Sequence, residues 1–167
     1  MKIQFFDFFC LIFHLVGSLH SLEINQNQSI IFAVGSSTKK GIGLLVAFSF
    51  DSYLDLVAKQ EISLTGFDED FSSLPQLQEG GHYEPLEGLT NITRLKNLDT
   101  LVISGGNRVV FSLFTGSKFV TLRVYDGLFR SGVLMFSMWG NELILLSNDR
   151  KEVKVLRIWG EFNELFG

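Results

Sequence analysis

The chain has 167 residues, 46% of them apolar and 17 of them phenylalanine, with a formal net charge of −4 at pH 7. That is the length of one domain with ample material for a core. It is too apolar for a disordered chain, and its charge disfavours nucleic acid as the main ligand, because phosphate binding needs a basic face. Cys10 is the only cysteine, which excludes an intrachain disulfide and a cysteine-rich metal site and leaves Cys10 as a small buried hydrophobe.

The first segment, 1–18, is apolar. Met1-Lys2 precedes Ile3-Gln4-Phe5-Phe6 and Cys10-Leu11-Ile12-Phe13-His14-Leu15-Val16, and Val16-Gly17-Ser18 ends it on small residues. It reads either as a secretory signal or as a first strand. Asp7 and His14 interrupt it, and its uninterrupted apolar length falls short of the roughly 20 residues that span a bilayer, so no stable membrane span is expected. If the signal reading holds, Asn27-Gln28-Ser29 and Asn91-Ile92-Thr93 are glycan acceptors. Otherwise the chain is expected in the cytoplasm or nucleus.

A first unit occupies 19–62, with strands expected at 21–24, 30–34, 42–50 and 54–62, a polar turn at 25–28 and a loop at 35–41. The segment 63–90 differs. It holds both prolines, Pro75 and Pro85, together with Asp68, Glu69, Asp70, Glu79, Glu84 and Glu87, and no Lys or Arg lies between Lys59 and Arg94. It is expected to be an acidic insertion loop, with Asp68, Glu69 and Asp70 as the residues that would steer a basic partner.

A second unit covers 91–129, with strands expected at 91–95, 99–104, 108–114 and 119–125; Gly105-Gly106-Asn107 and Thr115-Gly116-Ser117 form its turns. A third, truncated unit covers 130–167. Its strands are expected at 133–139, 142–147 and 152–159, and its tail leaves room for at most a poor fourth strand. Leu101-Val102-Ile103-Ser104 and Ile144-Leu145-Leu146-Ser147 each lead through a turn into a new apolar run, and their serines lie 43 positions apart. An earlier copy runs through Ile30-Ile31-Phe32-Ala33-Val34-Gly35-Ser36. A period of roughly 40–45 residues is that of four-stranded propeller blades. A shifted register, placing Phe111-Ser112-Leu113-Phe114 on Phe136-Ser137-Met138-Trp139, leaves the blade boundaries open.

The third unit resembles a WD-repeat blade, in the order of apolar strand, Gly140-Asn141 turn, strand ending on Ser147, turn containing Asp149, and strand ending on Ile158-Trp159. Gly160 stands where that family usually has Asp, and Gly81-His82 is similar to the family's Gly-His pair. The resemblance implies an all-β, incomplete propeller of about three antiparallel four-stranded blades. It further implies that Ser147, Asp149 and Trp159 belong to a structural hydrogen-bond network of the third blade. Closed propellers take about four to eight blades, so the units are a piece of a longer propeller or are completed by a partner chain. An antiparallel sandwich or barrel is the alternative.

Nothing in the sequence spells out catalysis. There is no Gly-x-Ser-x-Gly elbow and no His-Glu-x-x-His. The loop 35–43 contains two lysines but leads from Gly41 into Ile42-Gly43 and a strand, which is not a phosphate cradle. His14, His20 and His82 have no ligand spacing, so no metal is expected, nor any cofactor or small-molecule substrate. Arg150, Lys151, Lys154 and Arg157 form a modest basic run, but Lys154 and Arg157 are an odd number of positions apart and face opposite sides of one strand. The expected function is a non-catalytic scaffold that binds other protein subunits. The alternative is a secreted or surface β-rich domain that binds a carbohydrate-like ligand.

Overall fold

In the computed structural model, which describes residues 18–39, 42–63, 88–95 and 99–157, the apolar runs fold into antiparallel meanders. Strands β1 (Ser18–Asn25), β2 (Ile30–Ser36), β3 (Ile42–Ser49) and β4 (Asp55–Ser63) form sheet 1 in chain order. Strands β5 (Asn91–Arg94), β6 (Thr100–Gly105), β7 (Arg108–Phe114) and β8 (Phe119–Tyr125) form sheet 2. Sheet 3 holds β9 (Val133–Trp139), β10 (Glu142–Ser147) and β11 (Val153–Arg157), three strands among the described residues. The chain is all-β, in three small antiparallel sheets of four, four and three strands, consistent with partial propeller blades.

Turn chemistry accounts for the hairpins. Gly106-Asn107 links β6 to β7 and Gly140-Asn141 links β9 to β10, with the glycine of each at positive φ, 55° and 59°. Only glycine takes that conformation without a Cβ penalty. A bulge lies between the third and fourth strands of both four-stranded sheets, at Ala47/Phe48 and at Phe111/Ser112, and bends them alike.

Burial follows each strand's place. β3 and β6 are buried along almost their whole length, because the two faces of each belong to two different buried clusters, and each therefore reads as a continuous apolar run. β10 alternates, burying Leu143, Leu145 and Ser147 while Glu142, Ile144 and Leu146 stay half-buried, the period of a sheet covered on one side.

The sheets stack face to face. Phe32, Val34, Leu45 and Ala47 of sheet 1 pack against Ile92, Leu101, Ile103, Val110 and Phe114 of sheet 2. The rings of Phe32 and Phe114 meet edge to face at 5.2 Å, with Phe119 against both, a favoured aromatic geometry. The other face of sheet 2, Val102, Val109 and Phe111, packs against Leu143, Leu145, Phe136, Met138 and Leu156 of sheet 3. On the far face of sheet 1, Ala33, Leu44, Val46, Phe48 and Leu54 form a third buried cluster. First strands neighbour one another at one side of the stack, β1 beside β5, and fourth strands β4 and β8 neighbour at the other. This is a radial arrangement.

Candidate functional site

The polar chemistry of the described residues collects where one sheet hands over to the next. Gly88 and Gly132, 44 positions apart, both hold positive φ, 90° and 87°. Each is followed by a fully buried apolar residue, Leu89 or Val133. The Leu89 N–H donates to the Gly35 carbonyl at 2.9 Å, and the Val133 N–H donates to the Gly106 carbonyl at 2.7 Å. In each case the chain starts a new sheet by hydrogen-bonding the preceding sheet at its second strand (Gly35) or in the turn just past it (Gly106). A backbone donor in that position would otherwise be buried and unpaired, at a cost of about 1–3 kcal/mol. His20 of β1 reinforces the first junction, its Nδ1 lying 2.7 Å from the Leu89 carbonyl.

A second cluster ties sheet 2 to sheet 3. The Asn91 side-chain amide donates to the Leu134 carbonyl at 2.9 Å and approaches Thr90 Oγ1 at 3.2 Å and Ser104 Oγ at 3.3 Å. Thr90 Oγ1 donates to the Ser104 carbonyl at 3.2 Å. The third cluster is the turn after β10. Ser147 Oγ donates to Asp149 Oδ1 at 2.7 Å and accepts from the Lys151 and Glu152 N–H groups. Asp149 Oδ1 also accepts the Lys151 N–H at 3.1 Å, closing an Asx turn that leaves Arg150 at φ 60°. These two donors, Ser147 first, hold the Asp149 carboxyl below the usual carboxylate range.

Ser147 and Asp149 are thus brought together, whereas Trp159, Gly81-His82 and Asp68, Glu69 and Asp70 lie outside the described residues. The leading-glycine position that opens sheet 3 at Gly132 is held in sheet 2 by Gly88. Ser104 and Ser147, aligned by the sequence repeat, both sit at the end of a second strand, yet only Ser147 meets an aspartate.

One charged pair faces partly inward between first strands. Burial pushes the Glu23 carboxyl above its ordinary value, against the pull of the Arg94 charge, and Arg94 Nε is buried without a hydrogen-bond partner. Between β2 and β3 the Ser37 N–H donates to the Ile42 carbonyl at 3.0 Å, and Lys39 Nζ lies 3.4 Å from Glu61. The basic run disperses: Lys154 Nζ donates to the Leu128 carbonyl and lies over the Phe129 ring, while Arg157 donates to Glu142 at 3.1 Å. Among the described residues no group of three His, Cys, Asp or Glu could hold a metal ion, and no helix is long and apolar enough to cross a membrane.

The sequence matches no protein-family model and no curated protein. Among solved structures, a chain of the crystal structure of the mitotic checkpoint complex is similar in fold, with a TM-score of 0.59 at 10% sequence identity. The match covers 84% of this chain and 36% of that one, so the chain spans about a third of the solved chain's length. At that identity the likeness is one of fold alone.

Proposed function

We propose that this chain is a WD-repeat-like scaffold that binds other protein subunits and carries out no chemistry of its own. The observation that carries the reading is where the polar side chains are used. Asn91, Thr90, Ser104, Ser147 and Asp149 hydrogen-bond one another and the backbone at the sheet junctions and turns. Groups committed in this way rigidify stacked sheets and their loops, which suits a binding platform. Two further points support it: the turn aspartate bonded to a strand serine is the arrangement that the WD-repeat resemblance implies, and the similar solved chain belongs to a complex. On this reading Trp159 completes the Ser147–Asp149 network, and Asp68, Glu69 and Asp70 dock a basic surface of the partner in the cytoplasm or nucleus.

The test is the mass of the endogenous protein under native and denaturing conditions. A native species heavier than its denatured chain, containing a second kind of polypeptide, supports the scaffold reading. A native species no heavier than a denatured chain of 18.8 kDa refutes it. Changing Asp68, Glu69 and Asp70 together to Ser should weaken the association and reduce its salt dependence. Unchanged binding at every ionic strength removes those three residues from the interface.

A further inference from the structure

The turn that joins β3 to β4 carries the sharpest backbone irregularity of the described residues. Tyr53 and Leu54 stand side by side at φ 56° and 66°, the only adjacent non-glycine pair described at positive φ. A bulky side chain in the left-handed region is strained, because its Cβ crowds the backbone. Such a conformation persists only where its surroundings impose it, and it collects at places that a protein uses.

The surroundings here hold the turn at both ends. Leu54 is 8% exposed and packs with Leu44, Val46 and Phe48 on the far face of sheet 1. The Phe50 N–H donates to the Ser29 carbonyl at 2.9 Å, and the Asp55 N–H donates to the Ser52 carbonyl at 3.2 Å. Asp51, Ser52 and Tyr53 between these anchors are exposed. Tyr53 is 79% exposed, whereas Tyr125 is half-buried, edge-on to Phe111 and beneath Arg123. Asp51 and Asp55 flank Tyr53 two positions away on either side, and no Lys or Arg occurs between Lys40 and Lys59. The turn therefore presents a phenol hydroxyl in an acidic setting. It can also straighten locally. β4 lies at the edge of sheet 1 and its pairing with β3 slips at Ala47/Phe48. Opening the turn relieves its strain and parts only Ser49 from Asp55 and Phe48 from Leu56.

We propose that Tyr53 is a phosphorylation site, the target of a protein tyrosine kinase that recognises carboxylates on both sides of its substrate tyrosine. The Tyr53 Oη attacks the terminal phosphorus of magnesium-bound ATP. The Oη–P bond forms as the bond from that phosphorus to the bridging oxygen breaks; ADP leaves with the electron pair, and the phenolic proton passes to the kinase's catalytic aspartate. The product adds a charge of about −1.5 to −2 beside Asp51 and Asp55. Like-charge repulsion then favours the straightened turn, so the modification opens what Leu54 and the two backbone hydrogen bonds hold closed. This inference stands apart from the scaffold reading, because it is measured on the isolated chain.

The test starts with a panel of purified tyrosine kinases offered a synthetic peptide of residues 47–59; a panel that leaves the peptide unmodified overturns the proposal. A kinase that modifies it is then given the folded chain with magnesium and ATP, and phosphate is mapped by peptide mass. Tyr53 should be modified about tenfold faster than Tyr125, which must first leave its ring contacts. Tyr53→Phe should abolish incorporation in the turn. Changing Asp51 and Asp55 together to Asn should raise KM several-fold and leave kcat nearly unchanged, which separates recognition from chemistry. In the phosphorylated chain the Asp55 amide should exchange with solvent about tenfold faster, with Val102 unchanged. A folded chain that takes no phosphate at Tyr53, or takes it faster at Tyr125, overturns the proposal. Unchanged exchange at Asp55 in the fully phosphorylated chain overturns the opening of the turn.

Discussion

Gly43 and Leu89 compete for one space, and a double-mutant cycle measures that competition. Gly43 lies in β3, and a Cβ added to it would sit 2.6 Å from Leu89 Cγ and 2.9 Å from Leu89 Cδ2. Real Cβ atoms do not come that close, so Gly43→Ala overpacks the junction of sheets 1 and 2 and should cost about 1–3 kcal/mol. Leu89→Ala opens a cavity in the same cluster and should cost about 2–5 kcal/mol. In the double variant the new methyl occupies part of the vacated volume, so the losses should fall short of additive by about 1–2 kcal/mol. Relief is incomplete because the Leu89 backbone nitrogen, 3.3 Å from the added Cβ, does not leave. With a urea slope of about 2 kcal/mol per molar, the double variant's midpoint should lie about 0.5–1 M above the additive expectation. A double variant whose loss equals the sum of the two singles would refute the packing of Leu89 on Gly43.

Gly88→Ala should lower the melting temperature more than Gly116→Ala. Both glycines hold positive φ, but only at Gly88 would the added Cβ strike a neighbour, 1.9 Å from Ser36 Oγ, while Gly116 faces open space; equal losses would mean that backbone strain alone decides. For Asp149 the folded pKa is lowered, so its contribution is complete above the unfolded carboxylate value and fades as the pH falls through the folded one. Thermal melts in the acid range should therefore drop more steeply for the parent than for Asp149→Asn, and parallel curves would remove the charge from the turn's stability. Glu23 has the opposite sign. Its folded pKa is raised, so the stability linked to it is present below the unfolded value and lost as the pH rises through the folded one. Glu23→Gln should be more stable than the parent at neutral pH, and a less stable variant would show that the attraction of Arg94 outweighs desolvation.

Much of the layout was legible because strands in this chain are apolar runs separated by turn formers. Strands β7 to β10 have the bounds that their alternation and the flanking Gly-Asn and Gly-Ser turns imply. Partnership was less legible, because it depends on what stacks on what. The serines at 104 and 147 match in sequence, but a hydroxyl's partner depends on the turn beyond it. Ser104 Oγ accepts from the Asn91 side-chain amide, whereas the longer turn beyond Ser147 folds Asp149 back to accept from the Ser147 hydroxyl. The junction glycine Gly88 closes the acidic segment, where composition drew the eye to carboxylates. The signal that finds it is its spacing of 44 from Gly132, each glycine followed by an aliphatic residue. The alternation of Val153-Lys154-Val155 was visible as a strand, but its exposure depends on the absence of a further described layer.

Hydrogen exchange at the Leu89 and Val133 amides tests the stacked arrangement most directly, since each donates across a sheet boundary rather than along a strand ladder. The account predicts that both exchange as slowly as Val102 in the middle of β6, because opening either one requires two sheets to part. If they exchange at free-peptide rates while the strands stay protected, the three sheets do not stack through these junctions and the blade-like arrangement is wrong.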